Sequence, residues 1–183
     1  MSETPAPPAP VVTADPVEIA DGVYVIPDGR IPLVPNVGIV VGDRATLVVD
    51  TGLGERNGRI VLAEARKLSK NTEFYVAATH FHPEHDLGAT AFPPNAKMLR
   101  SRVQQQDADE LGADLNRRFA GFSPSIAELL KGARFRRADI LFDGSITLDL
   151  GGVHVRVWGV GPTHTRGATR TTFANGLFSS TSL

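Results

Sequence analysis

Cysteine is absent from this 183-residue sequence, and its absence excludes a disulfide framework, a thiolate metal site and a cysteine nucleophile together. No run approaches the roughly 18 apolar residues that a bilayer crossing needs. An excess charge of either sign is also missing: 19 Lys+Arg stand against 20 Asp+Glu, for a net charge of −1. General attraction to nucleic acid or to an anionic membrane is therefore not expected, although a local patch stays open. The N-terminus lacks the basic start and apolar stretch of a secretory signal, which leaves the cytoplasm as the default location. No nucleophile-elbow pattern is visible, nor is any short-period repeat or any linker after about residue 20.

What is present is ordinary globular material. Hydrophobic residues make up 42% and charged residues 21%, enough for one domain with a sizeable core. The opening Met1-Ser-Glu-Thr-Pro5-Ala-Pro-Pro-Ala-Pro10 reads as a disordered, polyproline-prone tail over residues 1–16, because proline withholds backbone donors and the stretch has little apolar surface to bury. The domain then occupies 17–183.

Val23–Ile26, Val37–Val41 and Ala45–Val49 are β-branched runs separated by turn residues, with Asp28-Gly29 and Gly42-Asp43 marking hairpins. The run ending at Val49 is apolar without alternation, as a strand buried on both faces should be. Val61, Ala65 and Leu68 have helical spacing within 56–70, and Phe74–Ala78 is a second buried strand. Val103, Leu111, Leu115 and Phe119 outline a longer amphipathic helix, and Ser123-Pro124 opens another. After Ile140 the period falls to two, with Gly151-Gly152 as a two-residue turn. Strands, helices and strands again indicate a layered α/β or α+β domain.

Three of the five histidines fall within Thr79-His80-Phe81-His82-Pro83-Glu84-His85-Asp86, directly after the second buried strand. Side chains two apart on extended backbone project to one side. Pro83 then breaks the extended run and lets Glu84 and His85 turn towards the same cavity. Imidazole nitrogens with a carboxylate oxygen suit zinc, and also iron or manganese. A fourth histidine sits in Gly161-Pro-Thr-His164-Thr-Arg-Gly167. With the upstream cluster present it reads as a ligand, because His80, His82 and His164 would form a three-nitrogen site with a position left for water. A divalent ion lowers the pKa of such a water to about 7, and a carboxylate such as Glu84 can orient it and take its proton.

Thr79 to His85 and Gly161 to Gly167 resemble the two signature motifs of the metallo-β-lactamase superfamily, and Val48-Val-Asp50-Thr-Gly52 looks like its Asp-Thr-Gly turn. The order and spacing agree over roughly residues 17–179. The resemblance implies an αββα sandwich of the α+β class. It places His80, His82 and His164 on a first metal and Glu84 and His85 on a second, with one or two zinc ions expected. Thr79 would hold the loop by hydrogen bonding. Asp50 would stand behind the metal loop or simply close a strand end, and Asp86 would support the loop rather than bind metal.

Three departures from the family pattern stand out. Glu84 replaces the usual aspartate, and Ala168 stands where many members carry Asp or Asn. At Leu177-Phe-Ser-Ser-Thr-Ser-Leu183, Thr181 takes the place of the aspartate that bridges two metals, and the family's later elements do not follow. The second half of the fold is expected to be incomplete, with homo-oligomerisation through its exposed sheet edge. The leading expectation is a hydrolase acting on a small-molecule ester, lactone, thioester or lactam. Its rivals are a nuclease, an iron oxygenase, and a metal-binding or interaction protein without turnover. His154, Phe122, Trp158 and the Arg134, Arg136 and Arg137 cluster read as structural, the arginines as a solvated helix cap.

Overall fold

A computed structural model of the chain describes residues 9–162, 164–173 and 176–178. Among the described residues the strands form two sheets. The larger runs in the order β1 (Val17–Ala20), β2 (Val23–Ile26), β3 (Val37–Val41), β4 (Ala45–Val49), β5 (Glu73–Ala77), β6 (Lys97–Ser101) and β7 (Ile140–Phe142). Neighbours from β1 to β4 are antiparallel, and those from β4 to β7 are parallel. The smaller sheet is antiparallel, in the order β11 (Gly176–Phe178), β10 (Thr169–Phe173), β9 (His154–Gly159), β8 (Ser145–Asp149).

Alternation along the central strand explains the layering. On β4 every residue is buried, with Leu47 and Val49 facing Leu148, Val155 and Val157 of the smaller sheet. Val48 points the other way, into a cluster with Val61, Leu62 and Ala65 of α1 (Gly54–Leu68). Successive strand residues face opposite sides, so one apolar run serves both the sheet–sheet and the sheet–helix core. This is the mixed α+β architecture anticipated from the motifs, and the described residues contribute its helix, sheet and sheet layers. No described helix is long and apolar enough to cross a membrane.

Four details differ from the sequence reading. The tail does not extend to Pro16: Val12 is a core residue. Asn57 of α1 fixes it, accepting from Val12 N at 2.8 Å and donating to Pro10 O at 2.9 Å. Asp28-Gly29 makes a local turn, with Asp28 Oδ1 accepting from Arg30 N, but the strands on either side end at Ile26 and resume at Val37. Phe122 is 61% exposed rather than packed in the core. Arg136 is no solvated cap; it donates to the carbonyls of Phe92, Pro93 and Ala96. The position of Thr181 lies outside the described residues.

The long helix α3 (Arg102–Ala120) exists as expected, but a different face is buried. Ser101 caps it by accepting from Gln104 N. Gln104, Gln105, Asp107, Ala108, Gly112 and Phe119 are buried, while Val103 and Leu111 are exposed. Polar side chains face inward because the neighbouring segment offers them partners: Gln104 Nε2 donates to Ala78 O, one residue before the histidine segment begins.

Two glycines bring that segment against α1. A Cβ on Gly88 would stand 2.1 Å from Thr51 O, and one on Gly58 would stand 1.9 Å from Gly88 O. The backbones of α1 and the 3₁₀ turn Leu87–Ala91 therefore touch without side chains between them. Gly88→Ala should cost at least about 2 kcal/mol, as overpacked cores do, read as a lower denaturation midpoint at unchanged m-value.

Candidate metal centre

The parallel strands β4, β5 and β6 deliver their following residues to one rim, where open α/β sheets gather ligands. Asp50 follows β4 and His80 and His82 follow β5. Pro83 starts the short helix α2 (Pro83–Asp86) at its first position, with His82 still extended at the cap. Proline at that position loses no intrahelical bond, so the chain turns at once and brings Glu84 and His85 round beneath His80.

The long-range partner arrives as well. Ring centroids of His80 and His82 lie 4.6 Å apart, those of His80 and His85 4.1 Å, those of His80 and His164 4.9 Å and those of His82 and His164 4.6 Å. His82 Nδ1 faces His164 Nε2 at 3.2 Å. A tetrahedral zinc with nitrogens at about 2.0–2.1 Å separates its donors by about 3.3 Å, so this spacing fits an ion. His80, His82 and His164 form one set of donors within 4.8 Å of one another, and His80, Glu84 and His85 form a second. His154 stands apart from both, exposed on β9.

Hydrogen bonds orient the rings. Asp50 is fully buried and adopts a left-handed φ of 66°, a conformation that Asp tolerates better than most residues. Its Oδ1 accepts from Thr79 N at 2.7 Å and its Oδ2 lies 2.8 Å from His85 Nδ1. Asp50 is thus more than a strand-end turn residue. Thr79 Oγ1 lies 3.0 Å from Asp50 Oδ2 and 3.2 Å from His80 Nδ1. A hydroxyl has one proton; given to the carboxylate, it leaves Thr79 accepting from His80 Nδ1–H. The lone pair of His80 is then on Nε2, a buried nitrogen with no hydrogen-bond partner among the described residues, and Glu84 Oε2 is in the same condition. Buried polar atoms are nearly always satisfied. Unpartnered lone pairs on residues of a histidine cluster are what a cation site requires.

Electrostatics agree with this. Burial, reinforced by the neighbouring histidines, pushes His80 down to about 2 and His82 down to about 4. Both are neutral at pH 7, with lone pairs available to a metal. Burial raises the Glu84 carboxyl above the usual range. For His85, burial pushes downward, but the charge and hydrogen bond of Asp50, with Glu84 and Asp86, push it up overall.

Asp86 is buried and paired with both terminal nitrogens of Arg100, as its expected supporting place implies. Arg100, itself fully buried, had no signal in the sequence: it lies in a strand, 14 residues from its partner. Thr51 Oγ1 holds α2 from the other side through the carbonyls of His85 and Asp86. Beside the histidines opens a cleft of about 560 Å³ whose lining includes Phe81, His82, Leu111, Leu115, Arg118 and His164. Leu111 and Leu115 of α3 thus form part of its wall.

Comparison with known proteins bears on this arrangement. The family model described as the metallo-beta-lactamase superfamily matches residues 30–177. A linear primary-alkylsulfatase from Pseudomonas sp. (strain ATCC 19151) is 38% identical over 58 residues, 32% of this chain and 11% of that protein. The native FEZ-1 metallo-β-lactamase from Legionella gormanii superposes with a TM-score of 0.63 at 20% identity, over 90% of this chain and 59% of its own. A B3 metallo-β-lactamase described as having an active-site glutamic acid gives 0.61 at 15% identity, over 90% and 59% respectively. At such identities these structures show a shared fold. The chain spans about three-fifths of the length of these solved neighbours.

The depressed histidines set a pH dependence for the metal-stripped chain. Their folded values lie below the ordinary 6.5, so between pH 6.5 and 4 these two rings bind more protons in the unfolded chain. The raised Glu84 carboxyl keeps its proton longer in the folded chain and offsets part of that difference. The rings' contribution to stability is full above pH 6.5 and falls as the solution is acidified. Urea titrations across this window should show stability falling with pH, and a His80→Gln variant should fall less steeply.

Proposed function

The chain belongs to the metallo-β-lactamase superfamily, and from that premise we propose that it is a metal-dependent hydrolase of small esters, lactones, thioesters or lactams. The observation that carries the reading is the meeting of His82 Nδ1 and His164 Nε2 at 3.2 Å from positions 82 residues apart. His80, His82 and His164 hold the first ion, with zinc favoured by an all-nitrogen donor set and iron or manganese as the rivals to be distinguished. Glu84 and His85 hold or bias a second. Bound there, a divalent ion supplies Lewis acidity, polarising a substrate oxygen and bringing a water's pKa near 7.

The chain's own residues do the remainder. Glu84, with its carboxyl raised by burial and Oε2 unpartnered, takes a proton from the attacking water. Asp50 keeps His85 turned by the bond at Nδ1, and Thr79 does the same for His80. Phe81, Leu111 and Leu115 bind the apolar part of the substrate in the cleft. A sulfate ester is a second substrate class. It is favoured by the alkylsulfatase relative and by Arg118, a lining guanidinium that makes no side-chain hydrogen bond or ion pair among the described residues. On the same reading the chain self-associates and works in the cytoplasm.

Elemental analysis of purified chain, together with hydrolysis of an ester, lactone, thioester, lactam and alkyl sulfate panel, tests the reading. Tight metal binding without turnover of any of the five would make the chain a metal-binding protein instead. His82→Ala should lose most bound metal while His154→Ala retains it; equal loss in both would overturn the ligand assignment. Glu84→Gln should keep the ion on the three histidines yet slow turnover by about a hundredfold or more, the usual contribution of a positioned base.

A further inference from the structure

Of the histidines in the cluster, His164 is the exposed one and comes from a loop remote in sequence from the others. His80 and His82 lie in the short connection between β5 and α2, and His85 lies within α2. The loop bearing His164 is pinched at its neck by Val160 N donating to Ala168 O at 3.0 Å. On the entry side Gly161 has φ +77°, with nothing within 4 Å of where a Cβ would stand. The contacts that fix the loop among the described residues lie on the exit limb.

That limb is fastened to α3. Arg166 donates through Nε to Asp107 Oδ1 at 2.8 Å and through Nη2 to the same oxygen, and Nη2 also reaches Glu110 Oε2 at 3.4 Å. Asp107 is 1% exposed, whereas the Arg166 side chain is about half exposed. A buried carboxylate with one basic partner holds that partner strongly, because losing it would strand the charge. Next in sequence, Gly167 lies so close to the first turn of α3 that a Cβ would stand 2.5 Å from Gln104 N. Thr169 N then donates to Thr79 O at 2.7 Å, which ties the end of the loop to the residue preceding His80. The loop is thus anchored at Arg166, Gly167 and Thr169, and the first of these anchors is two residues from His164.

We propose that Arg166 is a positioning residue for the metal centre: its ion pair with Asp107 of α3 holds His164 at donor distance from His82, so that the helix forming the cleft wall also sets the third nitrogen of the site. The proposal rests on the ligand reading given above. It also explains why a helix at the mouth of a cleft buries an aspartate while exposing leucines. Asp107 faces the loop it restrains, and Leu111 and Leu115 face the cleft.

Cobalt(II) titration of the metal-stripped 183-residue chain, followed by visible absorption, tests the assignment alongside thermal melts of the stripped proteins. Arg166→Met should weaken the first equivalent of cobalt by about tenfold, within the range usual for residues that orient ligands, and alter its absorption band. Arg166→Lys, which retains the charge pair, should recover most of the affinity. The double variant Asp107→Asn with Arg166→Met removes the stranded carboxylate, so its melt should recover while its cobalt affinity stays low. Wild-type affinity and spectrum in Arg166→Met would overturn the proposal, as would an affinity that recovers with the melt in the double variant. A wild-type chain that binds no cobalt would overturn the ligand reading itself and this inference with it, a result distinct from the other two.

Discussion

One buried carboxylate organises this molecule's rim. Asp50 stands at the end of β4 in a left-handed conformation and takes the backbone and hydroxyl of Thr79 and the ring of His85. Those contacts join the exits of two adjacent parallel strands and the first turn of α2. They also decide which nitrogen the rings of His80 and His85 turn inward, since protons committed to Thr79 and Asp50 leave the opposite ring atoms facing the cluster. Without that carboxylate, these two rings, 4.1 Å apart, would lose the bonds that orient them. The backbone conformation is a local cost met by the bonds that depend on it.

The fold that surrounds this rim follows from simple patterning. A run of five buried residues on β4 feeds two cores at once, one towards the smaller sheet and one towards α1. Glycines at positions 58 and 88 allow the turn after the histidine segment to lie directly on that helix. The histidine segment is consequently wedged between a helix and the strand ends, which is the rigidity that a preorganised site needs.

Much of this could be read beforehand, and for identifiable reasons. Period-two and period-four patterns located Val61 and Ala65 on α1 and the hairpin around Gly151-Gly152, whose φ values of +86° and +73° are those the turn demands. The spacing of His80, His82 and His85 after a buried strand, with Gly161 and Gly167 around His164, was enough to bring the four rings into one expectation. The orientation of α3 was not legible. Val103, Leu111, Leu115 and Phe119 look like a core stripe, but the helix lies beside a polar site, so Gln104 and Asp107 find polar partners there and the leucines face a cleft. Val12 and Arg100 escaped for a related reason: the partners that bury them, Asn57 and Asp86, are distant in sequence.

His80 occurs in both sets of donors, yet it has one nitrogen to give, because Nδ1 is engaged by Thr79 and only Nε2 is uncommitted. The two sets are therefore overlapping claims on a single lone pair rather than separate compartments. Occupancy at one alters what the other can offer, so loading isotherms for this centre describe a coupled equilibrium in which the second affinity has meaning only with the first specified.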